Sequence, residues 1–193
     1  MISATKIYWV VVLTLFGFSI FFLVRTEQFR RSIPKGSGKD CLQTDKAATV
    51  KRVIDGDEIV VQQGKCMVNV RLVGIKSFHP VRSELPLQPL GAAAVGFLRR
   101  HLGEKVTVLR KEKKLDSRGR TLARLSADGK DIGLRMVADG LVVVYRKFPF
   151  QGEHLYIAAE EKAMAMNKGL WAIPKAVVRV QYWQVHWAKE RSR

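Results

Sequence analysis

From Ile7 to Val24 the chain runs eighteen residues without a charge. At about 1.5 Å per residue, a helix of that length spans roughly 27 Å, close to the hydrocarbon thickness of a bilayer. The run is apolar on every side and not along one stripe, which argues against a helix buried in a soluble core. Tyr8 and Trp9 at one end and Arg25 at the other suit the two interfaces. The length of the run, followed by Arg25-Thr26-Glu27 and not by a small-x-small site, favours a retained anchor over residues 1–24 against a cleaved signal peptide. Lys6 alone precedes the run, whereas Arg25, Arg30, Arg31, Lys35 and Lys39 follow it. As a positive-inside signal in a bacterial inner membrane, this keeps the rest of the chain on the side of synthesis. The lack of an acidic residue before Glu27 is compatible with mitochondrial targeting and equally with a short n-region of any kind, so a single-pass membrane protein is expected on these residues alone.

The rest of the chain must fold without that segment. Residues 25–47 read as a basic tether, with Pro34-Lys35-Gly36-Ser37-Gly38-Lys39 at its centre. Residues 48–173 carry a globular pattern of short strands cut by turns. Ala48–Ile54 and Glu58–Val61 flank Asp55-Gly56-Asp57, and Cys66–Ile75 comes after the turn at Gly64. Val106–Arg110 and a run from Arg118 to Leu125 add two more strands, and Val142–Tyr145 is a brief strand-like stretch. Helices are expected over Leu90–Leu102, Ile132–Ala138 and Glu153–Asn167. Five strands with about three helices predict an α+β fold built on a small OB-type barrel. Residues 174–193 form a basic, aromatic tail in which Trp183 and Trp187 lie one helical turn apart; a partner, a membrane surface or the outside of the barrel are its expected contacts.

The charge bounds the partners. Thirty-four Lys and Arg against seventeen Asp and Glu leave +17, which favours nucleic acid, anionic lipid or an acidic protein face. Two cysteines are too few for a disulfide scaffold or a four-ligand zinc site. Cys41 and Cys66 are either free thiols or, in an oxidising compartment, a pair that ties the tether to the first hairpin.

Five motifs then occur in order: Asp55-Gly56-Asp57, Arg71-Leu72-x-Gly74-Ile75, Asp116-x-x-Gly119-Arg120, Asp139-Gly140-Leu141 and Gly169-Leu170-Trp171. Together they resemble the thermonuclease family of staphylococcal nuclease-like domains, over roughly Ala48 to Trp171. Anchor, tether and domain in this order look like the family's fungal, membrane-anchored, mitochondrial members, and this resemblance makes a mitochondrial membrane the favoured expectation, with a bacterial inner membrane as the alternative. The resemblance implies a five-stranded OB barrel that hydrolyses phosphodiesters. In such a site two arginines clamp the phosphate, aspartates bind calcium and a glutamate handles the water. Arg71 and Arg120 match the arginines, whose forked donors suit phosphate. Asp57 matches a calcium ligand and Asp55 its acidic neighbour.

The family pattern Arg-Leu-x-Gly-Ile-Asp-x-Pro-Glu here ends in Lys76-Ser77-Phe78-His79. Lys76 stands at the second calcium-ligand aspartate, His79 at the water-activating glutamate, Phe78 at the proline, and Ala93 where the first helix usually carries a glutamate. An ammonium has no lone pair for a metal. At about 4 Å and an effective dielectric near 20, two unit charges interact by about 4 kcal/mol, doubled for a dication. Lys76 is therefore expected against Asp57 or Asp55, in the metal's place, with no cofactor bound; a Lys76 in solvent beside an Asp57 that only shapes its turn is the alternative. His79 is either a loop histidine or a general base in a metal-free phosphodiesterase. Paired structural roles with Asp55, Asp57 or Asp116 are the alternative use of Arg71 and Arg120. The expected function is a non-catalytic, structural or binding subunit of a membrane assembly, with protein subunits, nucleic acid or anionic lipid as partners; an active endonuclease with an altered site is the alternative.

Overall fold

The computed structural model describes Trp9 and residues 12–22, 41–101 and 103–192. Residues 12–22 belong to a unit of their own and are helical, with Leu13, Phe16, Phe18 and Phe22 exposed. Both ends of the expected anchor, and residues 25–40 of the expected tether, lie outside the described residues. Among the described residues, no helix is long and apolar enough to cross a membrane.

In the second unit, strands β1 (Ala47–Asp55), β2 (Glu58–Gln63) and β3 (Cys66–Leu72) run as an antiparallel meander. Strands β5 (Lys105–Lys111) and β6 (Thr121–Ala127) form a second antiparallel pair that joins β1 through Ala47↔Thr107. The ring closes where β3 meets β6 in parallel, from Val70↔Thr121 to Leu72↔Ala123. This is the five-stranded barrel that the sequence predicts. Its interior is filled by one alternating set of β-branched and small residues, among them Val50, Val61, Val70, Val108 and Ala123. Helix α1 (Gln88–Arg99) and helix α2 (Ile132–Ala138) plug it with Ala94, Phe97, Leu98, Met136 and Val137. Asp131 caps α2 by accepting from Leu134 N at 3.1 Å, and Tyr156 Oη donates to the same carboxylate at 2.8 Å.

Several boundaries differ from expectation. The third strand stops at Leu72, because Gly74 takes a left-handed conformation (φ 81°) and turns the chain into the short strand β4 (Ile75–Lys76), paired with β8 (Val143–Val144). A two-residue strand, β7 (Lys130–Asp131), returns along β6. The expected tail is an eighteen-residue helix, α4 (Pro174–Arg191), with Pro174 in its first turn. Ala176, Val180 and Trp187 of α4 are buried in a second core with Phe78, Leu90, Ala163 of helix α3 (Glu153–Ala165), Leu170 and Trp171. Gly140 and Gly169 meet backbone to backbone beneath it; a Cβ on Gly140 would stand 2.2 Å from Lys168 O. Glu160 of α3, fully buried, accepts from Val144 N at 2.7 Å and Arg146 Nη2 at 2.5 Å, which ties β8 to the helical layer.

Residues 41–46, the end of the stretch read as tether, are fastened to the barrel. Leu42 is buried, Asp45 N donates to Val108 O, and Cys41 and Cys66 form a disulfide with Cα atoms 5.8 Å apart. The bond closes a loop with a sequence separation of 25. Replacing both cysteines by serine is expected to cost about 3 kcal/mol through the freed denatured chain, read as a lower urea midpoint with an unchanged native spectrum. An unchanged midpoint would show that the crosslink restrains nothing.

Candidate functional site

The Asp55-Gly56-Asp57 turn links β1 to β2 and is pressed against α1: a Cβ on Gly56 would stand 2.7 Å from the Ala94 Cβ. This close approach accompanies an inward Asp57 side chain, at 3% exposure. A buried carboxylate needs compensation. Asp57 Oδ2 receives it from Arg71 Nη2 at 3.1 Å, from Ser77 N at 2.9 Å and, at 3.9 Å, from Lys76 Nζ. Burial alone would raise its pKa; the guanidinium, the ammonium and the amide together outweigh burial and hold it below the usual carboxylate value.

Arg71 is committed as fully as its partner. Nη1 donates to Asp57 O at 3.2 Å and Leu72 O at 2.8 Å, and Nη2 donates to Ile75 O at 2.8 Å beside the Asp57 contact. The guanidinium thus staples the turn at Gly74, where the backbone breaks from β3 into β4, and only 11% of its side chain is exposed.

Arg120 is held differently. The Asp116-x-x-Gly119-Arg120 motif is a closed turn: Asp116 Oδ1 accepts from Arg118 N and Arg120 N, while Gly119 N donates to Asp116 O. Gly119 sits at φ 71°. Arg120 then folds back on the same carboxylate, with Nε and Nη2 at 2.7 and 2.5 Å from Asp116 Oδ2. Its Nη1 lies 2.6 Å from Glu58 Oε2. Burial would raise the Asp116 pKa, but its bonds to Arg120 and to the turn amides lower it.

Glu58 is the site residue that sequence reasoning missed. It is 2% exposed, stands opposite Arg71 in the β2–β3 register, and accepts from Asn69 Nδ2 at 3.3 Å as well as from Arg120. The available signal was a carboxylate opening an otherwise buried strand, which demands a cation nearby.

His79 is spoken for by its own loop. Nδ1 accepts from both Val81 N and Arg82 N at 3.0 Å, so that nitrogen carries no proton and the neutral ring bears its hydrogen on Nε2. Burial lowers its pKa; Asp55 opposes this, while Arg82 and Lys76 add to it. A general base needs a free lone pair, and the one this tautomer has is used. Asp55 Oδ1 accepts from Gly56 N at 2.7 Å, and its pKa is raised by burial and then by Asp57. Ala93 is exposed on α1.

The donor set does not fit a calcium ion. Such an ion takes six to eight oxygen ligands with several carboxylates. Here Asp57 offers an oxygen already facing two cations, Asp55 accepts from its own neighbour Gly56 N, and Lys76 brings positive charge to the same place. No group of three or more His, Cys, Asp or Glu side chains among the described residues is arranged to hold a metal.

In front of these residues lies a groove of about 1180 Å³. Arg71, Lys76 and Arg120 line its floor. One side is the β5–β6 loop, where Lys113 and Lys114 are exposed and, among the described residues, without ion pairs. The other side is aromatic: Phe148, 61% exposed, packs edge-on against Tyr145, which meets Trp187 at 4.8 Å between ring centroids. Trp183 and Trp187 stack with each other, and Trp183 lies 4.9 Å from Phe78. The residue in place of the family's proline is therefore a core contact for α4.

A closed five-stranded barrel, with two arginines and an aspartate converging at one end of it, defines a nuclease-type α+β domain. Residues 69–173 match the family described as Staphylococcal nuclease homologue, and the chain belongs to that family. It is 29% identical over 125 residues to "Thermonuclease" of Staphylococcus hyicus, across 64% of this chain and 74% of that protein. It is 34% identical over 93 residues to "Thermonuclease" of Staphylococcus intermedius, across 48% and 55%. It is 31% identical over 126 residues to "Probable endonuclease LCL3" of Komagataella phaffii, across 60% and 54%. The chain thus spans about half the length of the latter two relatives.

Asp57→Asn tests the internal pairing. Losing the charge strands Arg71 and Lys76, and the expected cost near neutral pH is about 3 kcal/mol. A carboxylate with a lowered folded pKa stabilises above its unfolded value of about 3.8 and loses that contribution as pH falls through the lower folded value. Urea melts across pH should therefore show a constant deficit above about pH 5 that closes in acid. A deficit independent of pH would disprove the pairing.

Proposed function

We propose that this domain binds a single nucleic-acid strand in the groove without cleaving it by the metal-dependent route, as a membrane-tethered binding subunit. The observation that carries the reading is the internal commitment of Arg71, Arg120 and Asp57. Hydrolysis needs fixed cations aimed at the phosphoryl oxygens and a dication or base to make the nucleophile. In this site the guanidiniums are turned onto Asp57, Asp116, Glu58 and backbone carbonyls. Lys76 approaches Asp57, and His79 caps its own loop. The groove in front keeps what binding requires. Exposed ammoniums on one side suit phosphates, and an exposed ring on the other suits a base. Two of the relatives are named thermonuclease and one probable endonuclease, which fits nucleic acid as the polyanion.

The tether reading rests on the uncharged run from Ile7 to Val24. The disulfide between Cys41 and Cys66 favours the oxidising side of a mitochondrial or bacterial membrane for the domain, against the orientation that the cations after the run suggest by themselves.

Two measurements test the function. Calorimetric titration with calcium should give no stoichiometric binding, and single-stranded DNA or RNA should survive incubation with calcium as it does with chelator. The same strands should bind with a steep salt dependence, and Lys113→Ala and Lys114→Ala should each reduce its slope by about 0.7, the share of one phosphate. Phe148→Ala should cost about 1–3 kcal/mol of binding. Calcium-dependent cleavage abolished by Arg71→Ala would overturn the proposal in favour of an active nuclease.

A further inference from the structure

Helix α4 has two apolar faces, and only one of them is used. Ala176, Val180, Trp183 and Trp187, at spacings of four, three and four, face the second core and the groove. Val178, Tyr182 and Val185, at spacings of four and three, lie on the opposite side and are 59–66% exposed. Beside this stripe stands another apolar projection. The loop and single 3-10 turn before α1 carry Val81 and Leu85, 71% and 79% exposed. Glu84, between them, reaches α4, where Lys175 Nζ lies 2.8 Å from its Oε2 and Arg179 holds its Oε1. The 81–85 segment is thereby held alongside the amino-terminal half of α4.

The charge around these side chains is mainly positive. Arg82, Lys175, Arg179 and Lys189 border them, and the acidic group between the two segments, Glu84, is neutralised by two of those cations. Protruding aliphatic tips and a tyrosine, bordered by Lys and Arg, match the boundary between anionic headgroups and acyl chains. Each such cation near an anionic surface adds to the attraction.

We propose that the outer face of α4 and the 81–85 segment form a second membrane contact, which lays this face of the domain on an anionic bilayer. The contact rests on the tether proposed above only for proximity. Cys41 is fastened to the barrel by its disulfide, and the sixteen residues before it, 25–40, can reach at most about 55 Å, so the tether keeps the domain close to the bilayer surface. The groove lies on the inner side of α4, and the contact leaves that side open.

The test uses the full chain in phosphatidylcholine vesicles, with or without phosphatidylglycerol. Because Cys41 and Cys66 are bonded to each other, a single added cysteine carries an environment-sensitive fluorophore. It is placed at Leu85→Cys, at Val178→Cys, or at Leu155→Cys on α3 as an exposed reference. In anionic vesicles the first two probes should shift blue and be quenched several-fold more than the third by nitroxide lipids. In neutral vesicles or high salt the difference should vanish. Arg82→Glu with Lys189→Glu should abolish it while strand binding in the groove stays unchanged. Equal response at all three positions, or a shift that needs protein concentration and not anionic lipid, as between two copies, would overturn the contact. A chain that fails to float with either vesicle would overturn the tether; a chain that floats while both probes stay red would overturn the contact alone.

Discussion

The structure turns on one buried negative charge. Asp57 cannot sit at 3% exposure without cations, and the cations it gathers decide the shape of its surroundings. Arg71 is drawn inward, and its remaining donors take the carbonyls of Leu72 and Ile75, which fixes the bend at Gly74. That bend carries Ser77 N onto the carboxylate and leads the chain into the loop that His79 and Ser83 close. The same residue types that would seat a phosphate and a metal serve here as a folding centre. Arg120 obeys the same logic with Asp116 and Glu58.

A second consequence concerns Phe78. In the family pattern a proline stands at this position; in this fold Phe78 is 2% exposed and meets Trp183. The loop that carries Phe78 is thus packed under a helix that begins after the matched family region ends. Glu84 at the far end of the loop is pinned by Lys175 and Arg179 of the same helix.

Much of this was legible in the sequence, for identifiable reasons. Helix α2 is found residue for residue, because Gly140 stops it just past its end; the cap at Asp131 is seen in the fold. The barrel strands arise from alternation and turn glycines, and misjudged ends occur where a tertiary staple bends the chain, as Arg71 does at Gly74. Lys76 Nζ lies 3.9 Å from Asp57 Oδ2. Glu58 escaped notice because a charge at the start of a strand reads as an exposed edge until the partner strand is known. Helix α4 escaped because its inward positions are diluted by Arg, Gln and His between them, so its apolar spacing is weaker than its aromatic content. The disulfide was an open alternative that only proximity could decide.

The parallel seam between β3 and β6 has a kinetic meaning. Val70 pairs with Thr121 across the whole of α1 and β5, so the ring shuts through contacts remote in sequence, which are the slow kind to form. Until then the edges of β3 and β6 are open strands with unpaired amides, the most adhesive surfaces the nascent molecule presents. For a chain with its hairpin edges bare, pairing with neighbouring copies competes with closure of its own ring.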